Sequence, residues 1–563
     1  MNLWLLASAI FVGADQEYRK GLVVCVEAHA AEVGKTILQQ GGNAMDAAVA
    51  TAFALAVTHP EAGNIGGGGF IVARDGQTKE IFTVDFREMA PKAATPTMFL
   101  DAAGNIDKKK SGYGWLVVGV PGSPMGLWTA HQKGGRLPWK ALMEPAIKLA
   151  RDGFQLDDYL VRTLNRNAKR FRSYGGDGGR IFALEKPFAV GTVWKQPDLA
   201  HTLELIRDQG PDGFYHGETA AKIEAAMKQF GGLVSQEDLA NYKAVVRAPV
   251  KGTYRGYEIV SMPPPSGGGV ALIEMLNMLE GFPLPEMTAD EPKRFHLAAE
   301  VMKRAFADRA RFLGDPDFSP IPVELLTSKK HAESLRRHIS ETCAAPPEIV
   351  GPDLLGYASK APVSESDHTT HFSVVDGEGG MVACTTTLED AFGSHCVAPG
   401  AGFLLNNQMH DFNLKPGLTD RQGNVGTPAN VIAPDKRMLS SMTPTLVLKE
   451  GKPFLVLGSP GGRTIINTVL MTLTNVIDHK MDVQAAVDFG RIHHQFLPSD
   501  LKIEGRLPES LDKALKAMGH QVNERKPNAP FKQGDCHAIL IDEKTGAFRA
   551  GVDRRMRGAA AGF

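Results

Sequence analysis

Two runs of β-branched and apolar residues, 369–376 and 381–388, are separated by four residues, three of them glycine. Runs of this composition favour strands, and a short glycine-bearing loop between two of them predicts a β-hairpin. Neighbouring residues along a strand point to opposite faces of a sheet, so a hairpin fixes which side chains share a face. This pair of strands therefore constrains the fold around it more tightly than any other segment of the chain.

The length of the hairpin loop decides which residues meet at its open end. With a three-residue loop at 377–379 and Gly379 in the left-handed region, Thr369 faces Thr387 directly. Paired residues have Cβ atoms about 4.5–5.5 Å apart, which places two hydroxyls side by side. A four-residue loop would instead move Thr387 to the opposite face of the sheet.

The first strand begins with Thr369-Thr370, directly after a segment at 343–368 that is rich in Pro, Ser and Gly. We interpret this segment as a long mobile connector. A hydroxyl inside a chain is a poor nucleophile, whereas a threonine at a chain N-terminus has its own α-amine, with a pKa of about 8, as a base. We hypothesise that the chain is cut between His368 and Thr369 and that Thr369 becomes a nucleophile.

The composition is typical of a soluble globular protein, with 563 residues, 43% of them hydrophobic and 22% charged. A formal net charge of −1 gives no electrostatic basis for binding nucleic acid or an anionic membrane surface. The cysteines show no Cys-x-x-Cys spacing, so neither a disulfide framework nor a cysteine metal site is indicated. They are Cys25, Cys343, Cys384, Cys396 and Cys536.

The N-terminal residues 3–12 form an apolar run that contains the small-residue triplet Ala7-Ser8-Ala9, as an export signal would. No Lys or Arg precedes the run, so a truncated signal, a disordered N-terminus and a plain strand all remain open. We expect residues 1–15 to be such a signal and the protein to be periplasmic or secreted. The run is too short to span a bilayer, and no other segment approaches that length.

Strand-like and helical patterns occur along the whole chain. Strands are predicted at 21–28, 70–73, 81–86, 445–448 and 454–457. Helices are predicted at 30–40, 44–58, 137–152, 294–312 and 464–479. The helix at 294–312 has an apolar stripe from Phe295 to Phe306, which we assign to the core.

Sequence motifs for cofactors and metals are incomplete or absent. Gly34-Lys35-Thr36 lacks the earlier glycine of a phosphate-binding loop, because His29 stands in its place. The adjacent side chains of His493 and His494 diverge, and the chain has neither a His-Glu-x-x-His nor a Gly-x-Ser-x-Gly motif. We therefore expect no cofactor and no metal.

A set of short segments, taken in order, resembles the γ-glutamyltranspeptidase family, also called glutathione hydrolases, of the N-terminal nucleophile hydrolase superfamily. The resemblance covers most of the chain from about residue 20, and its specificity comes from the order of the whole set. The segments are Gln40–Ala48, Gly66–Phe70, Phe86–Pro91, Gly119–Gly122, Thr369–His371, Leu405–Met409, Leu439–Met442 and Gly458–Gly462.

The resemblance implies an α+β fold, a four-layer αββα sandwich, made by a chain that cuts itself before Thr369. It implies a mostly helical large subunit, 16–368, and a small subunit, 369–563, that share one fold unit. Self-cleavage would proceed by attack of the threonine hydroxyl on its own upstream carbonyl, followed by hydrolysis of the ester. The segment 415–438 is long enough for the pocket lid of some family members.

The resemblance also implies a role for each catalytic position. Thr369 would attack the γ-amide carbonyl of the substrate, with its α-amine as base, and Thr387 would orient the Thr369 hydroxyl. Backbone N–H groups at Gly461 and Gly462 would stabilise the oxyanion, where one lost donor typically costs about 3 kcal/mol.

Substrate binding is implied at six further positions. Arg87 would bind the α-carboxylate of the substrate, with hydroxyl donors from Ser440 and Ser441. The amino side departs from the common family pattern, because Glu389 and Gln408 stand where Asn and Glu are usual. Asp411 is kept, so two carboxylates can still pair with an ammonium, and Gln408 can accept one hydrogen bond. Our hypothesis is that γ-glutamyl recognition survives with a shifted geometry.

The implied donors are glutathione or another γ-glutamyl compound, and the implied acceptors are water, an amino acid or a peptide. Two alternatives remain open. A cephalosporin-type acylase of the same fold, acting on a glutaryl side chain, would need no α-amino site, so Asp411 and Glu389 argue against it. An uncleaved binding protein would need neither Thr369 nor Thr387.

Overall fold

The structure is a computed structural model that describes residues 16–357, 368–417, 427–525 and 531–563. The signal-like N-terminus therefore lies outside the described residues, as do the central parts of the connector and of the segment expected to form a lid. Among the described residues, no helix combines the length and apolar character needed to cross a membrane.

Two seven-stranded sheets form the centre of the described structure. The first sheet has the order β1 (Glu17–Tyr18), β18 (Phe548–Val552), β17 (His537–Ile541), β13 (Lys452–Gly458), β12 (Thr445–Lys449), β9 (Tyr257–Ser261) and β8 (Val250–Tyr254). The second has the order β19 (Ala559–Gly562), β2 (Gly21–Cys25), β10 (Thr369–Asp376), β11 (Met381–Thr387), β3 (Gly68–Arg74), β4 (Ile81–Phe86) and β7 (Val245–Arg247). Smaller sheets are formed by β5 (Phe154–Gln155) with β6 (Val193–Trp194), and by β14 (Ile492–His493), β15 (Asp500–Ile503) and β16 (Gln521–Val522).

Helices pack on the outer face of each large sheet and on one another. In the first half of the chain they are α1 (Ala28–Gln39), α2 (Ala44–Thr58), α3 (Lys108–Ser111), α4 (Ser123–Gly134), α5 (Trp139–Asp152), α6 (Asp158–Phe171), α7 (Gly178–Phe182), α8 (Pro197–Gln209), α9 (Asp212–Tyr215), α10 (Gly217–Phe230) and α11 (Gln236–Asn241). They are followed by α12 (Gly268–Leu279), α13 (Pro292–Phe312), α14 (Val323–Leu326), α15 (Lys329–Arg336), α16 (Pro347–Val350), α17 (Thr464–Ile477), α18 (Val483–Asp488) and α19 (Glu509–Ala517).

Three apolar clusters separate the four layers. One lies between the second sheet and α1, α2 and α5, and another between the first sheet and α12, α13 and α17. The third lies between the two sheets and includes Phe70, Val375 and Val456. This arrangement confirms the αββα sandwich that the resemblance implies.

The hairpin has the predicted register. Thr369 pairs with Thr387, and the loop at 377–379 has three residues, with Gly379 at a φ of 85°. Alternate residues of β10, such as Phe372 and Val374, pack against the outer helices. Thr369 has the opposite parity, so it shares with Thr387 the face that is turned toward the other sheet.

Both large sheets mix strands from the two sides of position 369. In the second sheet, β10 and β11 lie between β2 and β3, which precede Thr369 by hundreds of residues. A cut before Thr369 would therefore leave two pieces that still share every layer of the fold.

The segment 343–368 is predicted to be a mobile connector, and the part of it that the structure describes differs from this prediction. Residues 343–357 include α16 and a 3₁₀ turn, Pro352–Tyr357, rather than irregular chain alone. Asp353 accepts two hydrogen bonds from Arg311, at 2.6 and 2.7 Å, which fixes this part of the connector to α13.

A buried histidine fills the space between the sheets beside the paired threonines. The His371 ring nitrogens lie 2.8 Å from Thr385 Oγ1 and 3.1 Å from Ser373 Oγ. Burial lowers the pKa of His371 well below its usual range, so the ring is neutral. Gly458 on the facing strand leaves the room for it, because a Cβ there would overlap the imidazole.

Replacing Gly458 with alanine is expected to destabilise the fold through this contact. Overpacking of this kind costs about 1–3 kcal/mol, and we expect a loss of that size in the free energy of unfolding, measured with urea. Gly505→Ala is the matched control, because a Cβ at Gly505 meets no atom within 4 Å. Equal stability of the two variants would contradict close packing between His371 and Gly458.

Candidate active site

The two threonine hydroxyls meet at the open end of the hairpin. Thr369 Oγ1 lies 3.3 Å from Thr387 Oγ1, to which it donates. Thr387 Oγ1 also accepts the Glu389 N–H at 2.8 Å and donates to the His368 carbonyl oxygen at 3.4 Å. In the uncut chain, one hydroxyl thus contacts both the candidate nucleophile and the carbonyl of the bond expected to break.

A pocket of about 580 Å³, open to solvent, begins at these hydroxyls. Nine of the eleven residues predicted for the site from the sequence line it: Arg87, Thr369, Thr387, Glu389, Gln408, Asp411, Ser440, Ser441 and Gly462. His368 and Gly461 adjoin lining residues in the chain. The remaining lining residues are Arg309, Leu439, Met442, Arg463 and Ile465.

Arg87 is a buried cation of this pocket. It follows directly after β4, is 1% exposed, and forms an ion pair with Asp411. Its guanidinium also donates to the Met438 and Leu439 carbonyl oxygens, both at 3.3 Å. These contacts fix the plane of the guanidinium, as bidentate binding of a carboxylate requires.

The two serines beside Arg87 present hydroxyl hydrogens to the pocket. Ser440 Oγ accepts the Met442 N–H at 3.1 Å, and Ser441 Oγ accepts an N–H of Arg309 at 2.8 Å. A hydroxyl that accepts from a protein donor keeps its own hydrogen to donate. Both serines can therefore contribute hydrogen bonds to an anion on Arg87.

The opposite side of the pocket is acidic. Gln408 Nε2 donates to Asp411 Oδ2 at 2.6 Å, while Gln408 Oε1 has no hydrogen-bond partner in the described part of the chain. Burial, followed by the nearby charges of Asp390 and Asp411, raises the pKa of Glu389 well above its usual range. A cation entering here would find two carboxyl groups and an amide oxygen.

The backbone at Glu389 has a φ of 83°, in the left-handed region that few non-glycine residues adopt. This conformation brings its N–H to the Thr387 hydroxyl at 2.8 Å. Strained backbone of this kind is common at functional sites, where surrounding contacts maintain it.

Gly461 and Gly462 precede the 14-residue helix α17 and have φ values of 126° and 55°. Both values lie in the region that favours glycine. Gly462 lines the pocket at the N-terminal end of the helix, where backbone N–H groups and the helix dipole favour negative charge. This position agrees with the predicted oxyanion site.

Glu88 lies behind Arg87 and is fully buried. Its Oε2 is 3.6 Å from Arg87 Nη1, and neither carboxyl oxygen has a hydrogen-bond partner in the described residues. Burial raises the pKa of Glu88 to about 7, although the Arg87 charge opposes the shift. This carboxyl group can therefore change charge within the physiological pH range.

Three contributors to the site have no role predicted from the sequence: Arg309 and Asn430, which lie outside the segments of the resemblance, and Glu88, which lies within Phe86–Pro91. Arg309 continues the apolar stripe of α13 by one turn, and a lone cation on such a stripe is the signal that could have revealed it. Asn430 donates to the Asp411 carbonyl at 2.7 Å and accepts the Leu439 N–H at 2.9 Å. Nothing in its local sequence predicts that link.

Three groups of side chains in the described residues bring possible metal ligands within 4.8 Å of one another: His296, Glu300 and His520; Glu274, Asp308 and His331; and Glu389, Asp390 and His410. In the first, His296 and His520 are hydrogen-bonded at 2.8 Å, and Lys303 contacts Glu300 at 2.6 Å. The third adjoins the pocket through Glu389. None includes the paired threonines.

Comparison with known proteins agrees with this geometry. The family model described as Gamma-glutamyltranspeptidase matches residues 30–563. The glutathione hydrolase proenzyme of Escherichia coli (strain K12) is 44% identical over 547 residues, covering 97% of this chain and 92% of its own.

Solved structures are also similar. Cephalosporin acylase from Bacillus halodurans has a TM-score of 0.84 at 27% identity, covering 100% of this chain and 99% of its own. A chain of Helicobacter pylori γ-glutamyltranspeptidase has a TM-score of 0.56 at 43% identity, covering 57% of this chain and 92% of its own. The extent of the family match and the identity to the Escherichia coli relative show that the chain belongs to the γ-glutamyltranspeptidase family.

Proposed function

We propose that this chain is the precursor of a γ-glutamyltranspeptidase and glutathione hydrolase. It cuts itself between His368 and Thr369, then transfers the γ-glutamyl group of glutathione or a similar donor to water, an amino acid or a peptide. The observation that carries the proposal is the hydroxyl pair Thr369–Thr387 at the head of a pocket that contains the Arg87–Asp411 ion pair.

Self-cleavage uses the groups around the scissile bond. The Thr369 hydroxyl attacks the His368 carbonyl carbon, and its proton passes to the departing Thr369 nitrogen, so the amide becomes an ester. Thr387, which donates to the His368 carbonyl oxygen at 3.4 Å, supports the negative charge on that oxygen. Water then hydrolyses the ester, releasing a carboxylate on His368 and a free hydroxyl and α-amine on Thr369.

Turnover begins with the amine that cleavage creates. The α-amine takes the proton of the Thr369 hydroxyl, whose oxygen attacks the γ-carbonyl of the donor, and the same proton leaves with the departing amine. N–H groups at Gly461 and Gly462 bind the oxyanion. Water or an acceptor amine then attacks the γ-glutamyl ester and restores the Thr369 hydroxyl.

The Arg87–Asp411 ion pair explains the preference for an α-amino acid head group. Arg87 offers a cation where the α-carboxylate binds, and Asp411 offers an anion where the α-ammonium binds. A zwitterion that enters between them replaces one ion pair with two. Glu389 adds a second carboxyl group, and Gln408 Oε1 adds a hydrogen-bond acceptor.

A glutaryl acylase is the second candidate, favoured by the full-length structural similarity to cephalosporin acylase. A glutaryl group lacks the α-ammonium, so it would leave Glu389 and Asp411 unmatched in the pocket. The γ-glutamyl activity therefore accounts for more of the site. Export to the periplasm or medium, based on residues 1–15, stays a prediction.

A denaturing gel tests self-cleavage. We expect the purified protein to run as two pieces, one ending at His368 and one beginning at Thr369, and N-terminal sequencing of the smaller piece to begin Thr-Thr-His. Thr369→Ala should remain a single chain, whereas Thr369→Ser should still be cut, because serine keeps the hydroxyl. Thr370→Val is the control and should be cut normally; a wild-type protein that stays whole would refute the proposal.

Glu88 gives the pocket a pH dependence that can be measured with free L-glutamate as a competitive inhibitor. Below pH 7 the Glu88 carboxyl is neutral; above pH 7 it ionises and competes with the ligand carboxylate for Arg87. We expect the inhibition constant to rise by about 3- to 10-fold between pH 6 and 8, as about 0.7 to 1.4 kcal/mol of charge competition would produce. Glu88→Gln should remove this rise; an unchanged profile in that variant would assign it to another group.

Substitution of Glu389 separates the two candidate activities. Asparagine tolerates the left-handed backbone at this position, so Glu389→Asn removes the carboxyl group with little strain. We expect kcat/KM for a γ-glutamyl anilide to fall about 10-fold or more, and that for a glutaryl anilide to stay within about twofold, since only the former presents an α-ammonium.

The reciprocal variant Gln408→Glu is measured with the same two anilides. The wild type should prefer the γ-glutamyl anilide to the glutaryl anilide. Unchanged γ-glutamyl turnover in both single variants would exclude the idea that Glu389 and Gln408 together preserve α-amino recognition. A wild-type preference for the glutaryl anilide would favour the acylase instead.

A further inference from the structure

Glu61, in the loop between α2 and β3, contacts the residue that precedes the scissile bond. Its Oε1 lies 3.0 Å from His368 Nδ1, and its Oε2 accepts the Tyr159 hydroxyl at 2.7 Å. The Glu61 side chain is 3% exposed, whereas that of His368 is 36% exposed. A half-exposed imidazole is thus attached to a buried and fixed carboxylate.

The surroundings of Glu61 keep it charged and in place. Burial alone would raise its pKa, but the hydrogen bond and charge of His368, with His59 and Tyr159, lower the pKa to about 2. The Glu61 carbonyl oxygen accepts the Phe392 N–H at 2.9 Å, which connects it to the loop that follows Glu389. Glu61 is therefore linked by hydrogen bonds to the loop that begins at Glu389 of the pocket wall.

We propose that Glu61 is a positioning residue for self-cleavage, fixing the His368 side chain so that the scissile carbonyl faces the hydroxyls of Thr387 and Thr369. The proposal rests on the proposed function. It assigns Glu61 to the first reaction alone, because Glu61 lies outside the pocket wall where later substrates bind.

Glu61 can act in this way because the scissile bond has to be held in place on both of its sides. On the C-terminal side of the scissile bond, β10 is fixed by its ladder to β11, beginning at the Thr369–Thr387 pair. On the N-terminal side, the hydrogen bond between Glu61 and His368 supplies the second fixed point. An intramolecular attack gains most of its rate from such alignment, and a displacement of about 1 Å can cost about 100-fold.

Cell-free synthesis followed by a timed denaturing gel measures the cleavage rate directly. We expect Glu61→Gln and His368→Gln each to slow cleavage by about 10- to 100-fold. The double variant should recover part of the rate, because two amides can hydrogen-bond across the same gap, so the two effects should be non-additive. Tyr159→Phe is the matched control: it removes the other hydrogen bond to Glu61 and should cleave within about threefold of wild type.

Two further measurements separate positioning from general damage. Once cleaved, each variant should turn over a γ-glutamyl anilide with a kcat within about twofold of wild type. In a Thr369→Ala background, where no cleavage occurs, Glu61→Gln should leave the melting temperature within a few degrees of the Thr369→Ala parent.

Three results would overturn the inference: wild-type cleavage in Glu61→Gln, a parallel loss of kcat in the cleaved variant, or additive effects in the double variant. Failure of the proposed function gives a different result, because the wild type itself would then stay uncut.

Discussion

The pairing of Thr369 with Thr387 across one hairpin is the contact on which the rest of the site depends. It requires a three-residue loop with Gly379 in the left-handed region, and it requires the face shared by the two threonines to point between the sheets. A slip of one residue would turn Thr387 to the opposite face of the sheet, away from Thr369. The buried His371 and the missing Cβ of Gly458 keep the facing sheet close enough to close the pocket behind them.

The Arg87–Asp411 ion pair shows why specificity here is electrostatic. Removing two charges from water is costly, and a buried pair recovers that cost only when its other hydrogen bonds are made. Arg87 has two carbonyl partners, and Asp411 has Gln408, so each ion remains supported when a zwitterion separates them. A ligand with only one of the two charges would leave the other ion without its partner.

The sequence predicts the hairpin because its register depends on a local loop. It also predicts five of the longer helices, α1, α2, α5, α13 and α17, because their composition and apolar patterns favour helix. The predicted roles of Arg87, Ser440 and Asp411 follow from the resemblance to the family, which rests on the order of several short segments. No local sequence pattern predicts these roles. Arg309 and Glu61 lack such support: their contacts join segments far apart in the chain. Arg309 meets Ser441 across 132 residues, and Glu61 meets a histidine more than 300 residues away. Their roles become visible only in the folded chain.

The same groups around Thr369 serve two reactions, self-cleavage and γ-glutamyl transfer, and the two reactions differ in the base that is available. In the precursor the Thr369 nitrogen is part of an amide and takes a proton only as it departs, so self-cleavage lacks the basic amine that assists every later turnover. A reaction without a strong base depends on alignment, which the strand ladder and the Glu61–His368 hydrogen bond supply. After cleavage, the Glu61–His368 contact is no longer needed for the reaction. The new α-amine then supplies Thr369 with the base that alignment alone could not provide.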